Sequence, residues 1–268
     1  MTYRWIALLL VAFLATPAQA EMAVHFVDVG QGGGVFIEKD GKKIVYDCGD
    51  TFAADTFTSY LEALDVGVID ALIVSHAHKD HMGACAAVVA KFTVKRVYHN
   101  GSNASTATWK SFLKVAENTT DVIIVDHNLD TGDFNILVAY DNGPRHAKEA
   151  DNSLVVRLVD GAVRVLLTGD CEAICERALI AGNRAALQAD VLNVGHHGSN
   201  ASSTIEFLKT VKPKTAAISA GLNNQYGHPT KPVLQRLAQV KAKVYRTDHD
   251  GSIVVRSDGR TYMVETDK

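Results

Sequence analysis

The chain has 268 residues, 47% of them hydrophobic, with five prolines and a formal net charge of −3. This composition excludes a disordered or collagen-like chain and fits one or two packed domains. A mildly negative protein also lacks the broad basic surface that grips duplex nucleic acid, where phosphate neutralisation supplies most of the affinity.

Residues 1–20 read as a leader. Arg4 precedes an apolar run from Trp5 to Ala15, and Ala18-Gln19-Ala20 is a small-residue cleavage pattern before Glu21. Those are the parts of a secretory signal peptide, and the apolar run is short for a membrane span. Cleavage would start the mature domain, residues 21–268, near Glu21, remove one cation and no acid, and leave no membrane span. The expected location is secreted or periplasmic. Cys48, Cys85, Cys171 and Cys175 would then sit in an oxidising compartment, where disulfides persist. Four cysteines allow three pairings, which sequence does not choose between.

Strands are predicted at 23–29, 34–38 and 43–47, with Gly30 to Gly34 turning between the first two. A helix follows over Ala53 to Asp65, a buried strand over 70–75, a helix over His81 to Phe92, a strand over 95–99 and a helix over 106–117. Strands are expected at 121–125, 134–140, 153–159 and 162–168. The helix at 171–181, strand at 190–194, helix at 203–209 and strand at 214–220 come next. Thr230 to Val240 is helical, with Pro232 in the first turn, where proline is tolerated. Strands at 243–246, 252–256 and 261–265 close the chain. No Pro-, Gly- or Ser-rich linker divides it, so the expectation is one α/β domain, a four-layer αβ/βα sandwich with its sheets facing inward.

The chain also matches itself at an offset of 120 residues. Val35 to Gly41, ending in Cys48-Gly49-Asp50, lies over Val155 to Gly161, ending in Thr168-Gly169-Asp170. Asp70 to His76 lies over Asp190 to His196, and twelve identities fall between residues 35 and 101. Such self-similarity marks an internal two-fold repeat. It makes His76 and His196 equivalent, each just past a buried strand.

The histidines carry the chemistry. His76-Ala77-His78-Lys79-Asp80-His81 places four metal-capable side chains in six residues after the apolar Ala71 to Val74. Imidazole and carboxylate suit Zn²⁺ and similar ions. His76 and His78 can face one ion, with Asp80 and His81 facing a second. Two ions about 3.5–4 Å apart lower the pKa of a shared water and clamp developing oxyanions, which suits hydrolysis of phosphodiesters by a metal-bound hydroxide. Such a pair needs a bridging carboxylate. Asp170 fits, since it follows a strand and a glycine; Asp50, its repeat equivalent, reads as a helix cap. In His196-His197-Gly198-Ser199, the repeat favours His196 as the ligand, with His197 behind it as a supporting donor or proton carrier. His228, in Tyr226-Gly227-His228-Pro229, is either the last ligand or the group that protonates the leaving oxygen. Asp80 is counted among both the ligands and the catalytic groups. Asp28 should anchor the turn at Gly30. His25, His99, His127 and His249 read as ordinary loop or surface histidines.

Taken in order, Phe26 to Gly32, Ser75 to Gly83, Asp151 to Val155, Leu167 to Asp170, Val194 to Ser199 and Tyr226 to Pro229 resemble the metallo-β-lactamase-fold hydrolases. Within them the chain is most similar to the C-terminal hydrolase domain of ComEC-type competence proteins. The resemblance covers nearly all of residues 23–256. It implies a dinuclear centre, two Zn²⁺ or alternatively Mn²⁺, acting on DNA or a smaller phosphoester; the substrate partner would be a phosphoester or single-stranded nucleic acid. Many superfamily members carry a further His before the strand leading to the bridging Asp. This chain offers Asn152 there, with His146 upstream, so Asn152, His146 or water would complete one ion's shell. Gly33-Gly34 also stands where Gly-Asp is usual. The competing expectations are a β-lactamase-type amide hydrolase and a non-catalytic binding module on the same fold.

Overall fold

The computed structural model describes residues 22–141 and 143–268; the leader expected over 1–20 lies outside them. Among the described residues two large sheets carry the chain, beside a short parallel pair of Val68–Ile69 with Thr93–Val94. The first has eight strands, in spatial order Tyr262–Thr266, Ile253–Ser257, Met22–Phe26, Gly34–Lys39, Lys42–Cys48, Ala71–Val74, Arg96–His99 and Asp121–Ile124. The second has seven: Lys243–Arg246, Thr215–Ile218, Val191–Asn193, Val163–Leu167, Val155–Asp160, Asn135–Leu137 and Leu129–Asp130. Each sheet joins antiparallel hairpins to a parallel run, and each parallel step crosses over through a helix, as parallel pairing requires.

Three apolar clusters fix the layering. One lies between the sheets and draws on both, with Val24, Phe26 and Ile73 from the first meeting Val156, Val165 and Leu167 from the second. A second packs the outer face of the first sheet on Phe57, Leu61, Val88, Trp109 and Phe112. A third packs the second sheet on Cys175, Leu179, Phe207, Leu208 and Leu237. The result is the four-layer αβ/βα sandwich, and its central strands, such as Ala71–Val74, are apolar throughout because both of their faces are buried.

The repeat is physical. The hairpin Gly34–Lys39 and Lys42–Cys48 corresponds to Val155–Asp160 and Val163–Leu167, and helix Cys85–Lys91 corresponds to Ile205–Val211 at an offset of 120 residues. The strand that continues each parallel run, Ala71–Val74 or Val191–Asn193, ends at one rim of the sandwich.

Some boundaries differ from those read in the sequence. The first strand stops at Phe26. The helix expected over 81–92 is two pieces, Lys79–Met82 and Cys85–Lys91. Gly83 lies at the break, so tight against the Asp50-Thr51 backbone that an added Cβ would stand 2.4 Å from Thr51 N. Short elements at Leu129–Asp130 and Thr247–Asp250 were not expected. Among the described residues no helix is long and apolar enough to cross a membrane. The four cysteines form two disulfides, Cys48–Cys85 and Cys171–Cys175.

Candidate metal centre

Both histidine clusters leave strand ends at the same rim, and Asp170 stands between them. The strand Ala71–Val74 is followed by extended backbone carrying His76 and His78, then by the single turn Lys79–Met82, which swings Asp80 and His81 to the other side. His76, His81 and Asp170 are buried. One carboxylate oxygen of Asp170 faces each group. Oδ2 is 3.5 Å from His76 Nε2, 3.6 Å from His196 Nε2 and 4.0 Å from His78 Nδ1. Oδ1 is 2.9 Å from His81 Nε2 and 3.7 Å from His197 Nε2. Asp80 completes the second group, its Oδ2 lying 3.2 Å from His197 Nε2.

Four of these rings are oriented from behind. His81 Nδ1 is 2.7 Å from Asp47 Oδ2, His196 Nδ1 is 3.0 Å from Glu172 Oε1, and His197 Nδ1 is 2.9 Å from the Ser219 carbonyl. His76 Nδ1 is 2.9 Å from Ser75 Oγ, which itself donates to Asp47 at 2.7 Å. An Nδ1 that donates to an oxygen leaves Nε2 free to ligate. Four ring nitrogens thus face one carboxylate, an arrangement that draws positive charge into the space between them. His76 Nε2 is accordingly buried with no hydrogen-bond partner. The donor set, imidazole nitrogens and carboxylate oxygens around a shared aspartate, fits a pair of divalent ions.

The local electrostatics agree. Burial alone would raise the Asp170 carboxyl, yet His81 and His197 hold it well below the usual carboxylate range. Burial also lowers His81, but Asp170 and Asp47 outweigh it and keep that ring well above the ordinary histidine value. His76 is lowered by burial and then by His81.

The sequence expectations fare unevenly here. His76, His78, Asp80, His81, Asp170 and His196 converge. His197 does not sit behind His196: its Nε2 points into the second group, 3.3 Å from His81 Nε2. The reason is backbone. His196 and His197 both adopt left-handed conformations, φ 48° and 53°, which turns two adjacent side chains toward different oxygens of Asp170. His228 makes ring contacts instead, 5.6 Å from the His196 centroid and 6.5 Å from that of His197, with no ion pair to Asp170 among the described contacts. Its Nδ1 is buried without a partner, and burial, then His196 and His197, lowers its pKa.

Asn152 is not aimed at the centre. Its Oδ1 accepts from His146 N, and its Nδ2 donates to the His146 and Lys148 carbonyls, so it shapes the preceding loop. Its neighbour Ser153 accepts from Asp170 N at 3.2 Å. Asp28 anchors its turn, accepting from Gly30 N at 3.2 Å. His25, His99, His127 and His249 lie apart, against Tyr60, Trp109, Asp126 and Asp248. Gly33 packs on the His81 ring, where an added Cβ would lie 2.9 Å from Nδ1. A side chain there would push on a ring that Asp47 and Asp170 hold.

Asp47, Ser75, Glu172 and Ser219 were missed in the sequence. Asp47 left a signal, an acid at the end of the apolar Ile44-Val45-Tyr46; Glu172 left a weaker one, two residues past Asp170. Ser219 acts through its carbonyl, which no side-chain pattern reveals.

Residues 27–221 match the sequence model of the metallo-beta-lactamase superfamily. Two curated relatives align over most of the chain. ComE operon protein 3 of Bacillus subtilis (strain 168) is 30% identical over 92% of this chain and 34% of that protein. Competence protein ComA of Neisseria gonorrhoeae is 33% identical over 93% of this chain and 35% of that protein. The chain thus spans about a third of the length of these relatives. Among solved structures, the metallo-beta-lactamase fold protein YhfI from Bacillus subtilis superposes with a TM-score of 0.59 at 16% identity, covering 89% of this chain and 100% of that one, a likeness of fold.

Proposed function

The chain belongs to the metallo-beta-lactamase superfamily, alongside ComEC-type competence proteins, and from that premise we propose that it is an exported metal-dependent hydrolase of phosphodiesters. One observation carries the metal reading: Asp170 presents one oxygen to His76, His78 and His196 and the other to His81 and His197. These residues with Asp80 would hold two divalent ions, Zn²⁺ or Mn²⁺. Such a pair supplies an acidified water and positive charge opposite the phosphoryl oxygens.

The chain's own residues do the rest. Asp47, Ser75, Glu172 and the Ser219 carbonyl hold four imidazoles in one tautomer, so the centre needs little reorganisation as charge develops. No side chain is needed as nucleophile: water's oxygen bonds to phosphorus, the P–O ester bond breaks, and the proton leaves with the alcohol. His228 borders both histidine groups with an unpartnered ring nitrogen, which suits it to carry that proton.

The net negative charge favours a small ester or a single strand over tightly gripped duplex. Two disulfides and the apolar leader pattern support export, and with it a secreted or periplasmic location. Metal analysis joined to a phosphodiester screen tests the reading. His196→Ala should lose metal; His228→Ala should keep most of it and turn over slowly. The reverse pattern exchanges the two roles. Nitrocefin opening with no phosphodiester cleaved would overturn the substrate class.

A further inference from the structure

A groove of about 450 Å³ opens beside the second histidine group, and Asp80 lies in its wall. Two large aromatic rings flank it: Phe52 is 89% exposed and Tyr226 is 59% exposed. Packing does not require either, and two such rings on one groove beside a reactive centre are a binding feature. Each ring is backed on one side. The Lys79 ammonium stands 4.6 Å over Phe52 and is tied to Asp50 at 3.0 Å. Asp50 also accepts from Phe52 N at 3.2 Å, which fixes the loop that carries the ring. Tyr226 stacks on His228, with centroids 5.8 Å apart and planes 25° from parallel. Both rings are thus held in place and still face solvent. The same groove is lined by Asp28, Asp50 and Gln225, whose side-chain oxygens can accept amino hydrogens.

Resting on the phosphodiester reading above, we infer that Phe52 and Tyr226 form a subsite for a flat, amine-bearing ring, the base of a nucleoside on one arm of the ester. Aromatic side chains hold bases by stacking, and the carboxylates accept from exocyclic amines. The lining also limits length. Among the described residues it carries no Lys or Arg, and the neighbouring cation, Lys79, is already paired with Asp50. Further phosphates along that path would find no free cation to pair with, so the subsite takes a single nucleoside, as in a dinucleotide or a strand end.

The test uses the metal-loaded full chain and two substrates, an adenine dinucleoside monophosphate and its abasic analogue. Phe52→Ala and Tyr226→Ala should each lower the ratio of kcat/KM, base-bearing over abasic, on the order of tenfold, chiefly through KM. Phe52→Trp and Tyr226→Phe should restore it. Both rings are exposed, so neither truncation opens the core, and circular dichroism checks that directly. An unmoved ratio in both alanine variants overturns the subsite. If the wild type cleaves neither substrate, the phosphodiester reading has failed, and binding decides the subsite separately. Quenching of a 2-aminopurine nucleotide by wild type, weakened in both alanine variants, supports it; no quenching in wild type overturns it.

Discussion

In the first half of the repeat, Ala71–Val74 delivers His76 and then His78 to one oxygen of Asp170 before a helical turn carries Asp80 and His81 to the other. In the second half, Val191–Asn193 delivers His196 at the equivalent place, and the very next residue, His197, crosses to the opposite oxygen. The equivalent corners diverge as well. Asp170 is buried among imidazoles, whereas Asp50 caps the turn Thr51–Ala53 and pairs with Lys79. Behind the ligands, Asp47 has Leu167 as its counterpart, and Glu172 has the solvent-facing Phe52. The repeated backbone thus brings two strand ends to one rim, while single differences at equivalent positions decide which residues face Asp170, which hold a histidine from behind and which face solvent.

The largest contrast to break is between the two corner aspartates. Asp170→Ala should remove most bound metal and abolish turnover by at least about a thousandfold, because it deletes the carboxylate both groups share. Asp50→Ala should keep its metal and lose about 1 kcal/mol, the usual worth of a helix cap. Elemental analysis and a melt of each variant decide this. Equal metal loss in both would mean the site is as symmetric as the backbone.

Next come the supports. Asp47→Ala frees His81, and Glu172→Ala frees His196, so each should weaken metal affinity about 10–100-fold. Glu172→Ala should weaken only the ion on the Oδ2 side, whereas Asp47→Ala should weaken the Oδ1-side ion through His81 and, less strongly, the Oδ2-side ion through Ser75 and His76. Competitive titration with a chelating dye resolves the two steps. Equal loss of both steps in Glu172→Ala would contradict the division into two groups.

The staples differ too. Cys48–Cys85 ties the Asp47 corner to the helix after His81 and closes 37 residues; Cys171–Cys175 closes four beside Asp170. Chain-entropy reasoning makes the longer closure worth about 4 kcal/mol and the shorter about 2 kcal/mol. Cys48→Ser/Cys85→Ser should therefore lower stability to urea more than Cys171→Ser/Cys175→Ser does. A larger effect from the shorter loop would point to native-state packing as the dominant contribution.

Much of this was legible beforehand, for physical reasons. Apolar runs and the 120-residue offset pointed to the layers, because burial on both faces forces an apolar run wherever it recurs. The pattern from His76 to His81 and the Gly169-Asp170 corner were readable because cheaper residues would serve a plain loop. What escaped depends on torsion and on distant contacts. Two successive left-handed histidines have no sequence signature, so His197 read as a supporter. The helix expected over His81 to Phe92 ran through Gly83 unbroken, since only the folded chain places Thr51 against it. Asp47 and Glu172 act across 34 and 24 residues, beyond any local pattern.

The smallest contrast sets Glu176 against its repeat equivalent, Thr56. Glu176 is buried behind the second sheet, accepting from the backbone nitrogens of Ser203 and Thr204 at the start of the helix Ile205–Val211. Burial raises its carboxyl to about 7 from an ordinary 4.5, against the lowering pull of those hydrogen bonds and of Arg236. A raised acid holds its proton in the folded state after the unfolded chain has released it. Between about pH 4.5 and 7 the folded protein therefore binds more protons, and stability falls as pH rises, levelling off above that window. From pH 5.5 to 8 the loss is roughly 2 kcal/mol, at about 1.4 kcal/mol per pH unit while the difference persists. Glu176→Gln keeps an acceptor for the helix start and cannot ionise, so that share of the pH dependence should vanish. Thr56→Val, in the half with no acid at this position, should leave the wild-type dependence in place. Urea unfolding of the three proteins at both pH values makes the comparison. If wild type and Glu176→Gln lose stability in parallel, Glu176 is ionised throughout and its burial is compensated by the helix it holds.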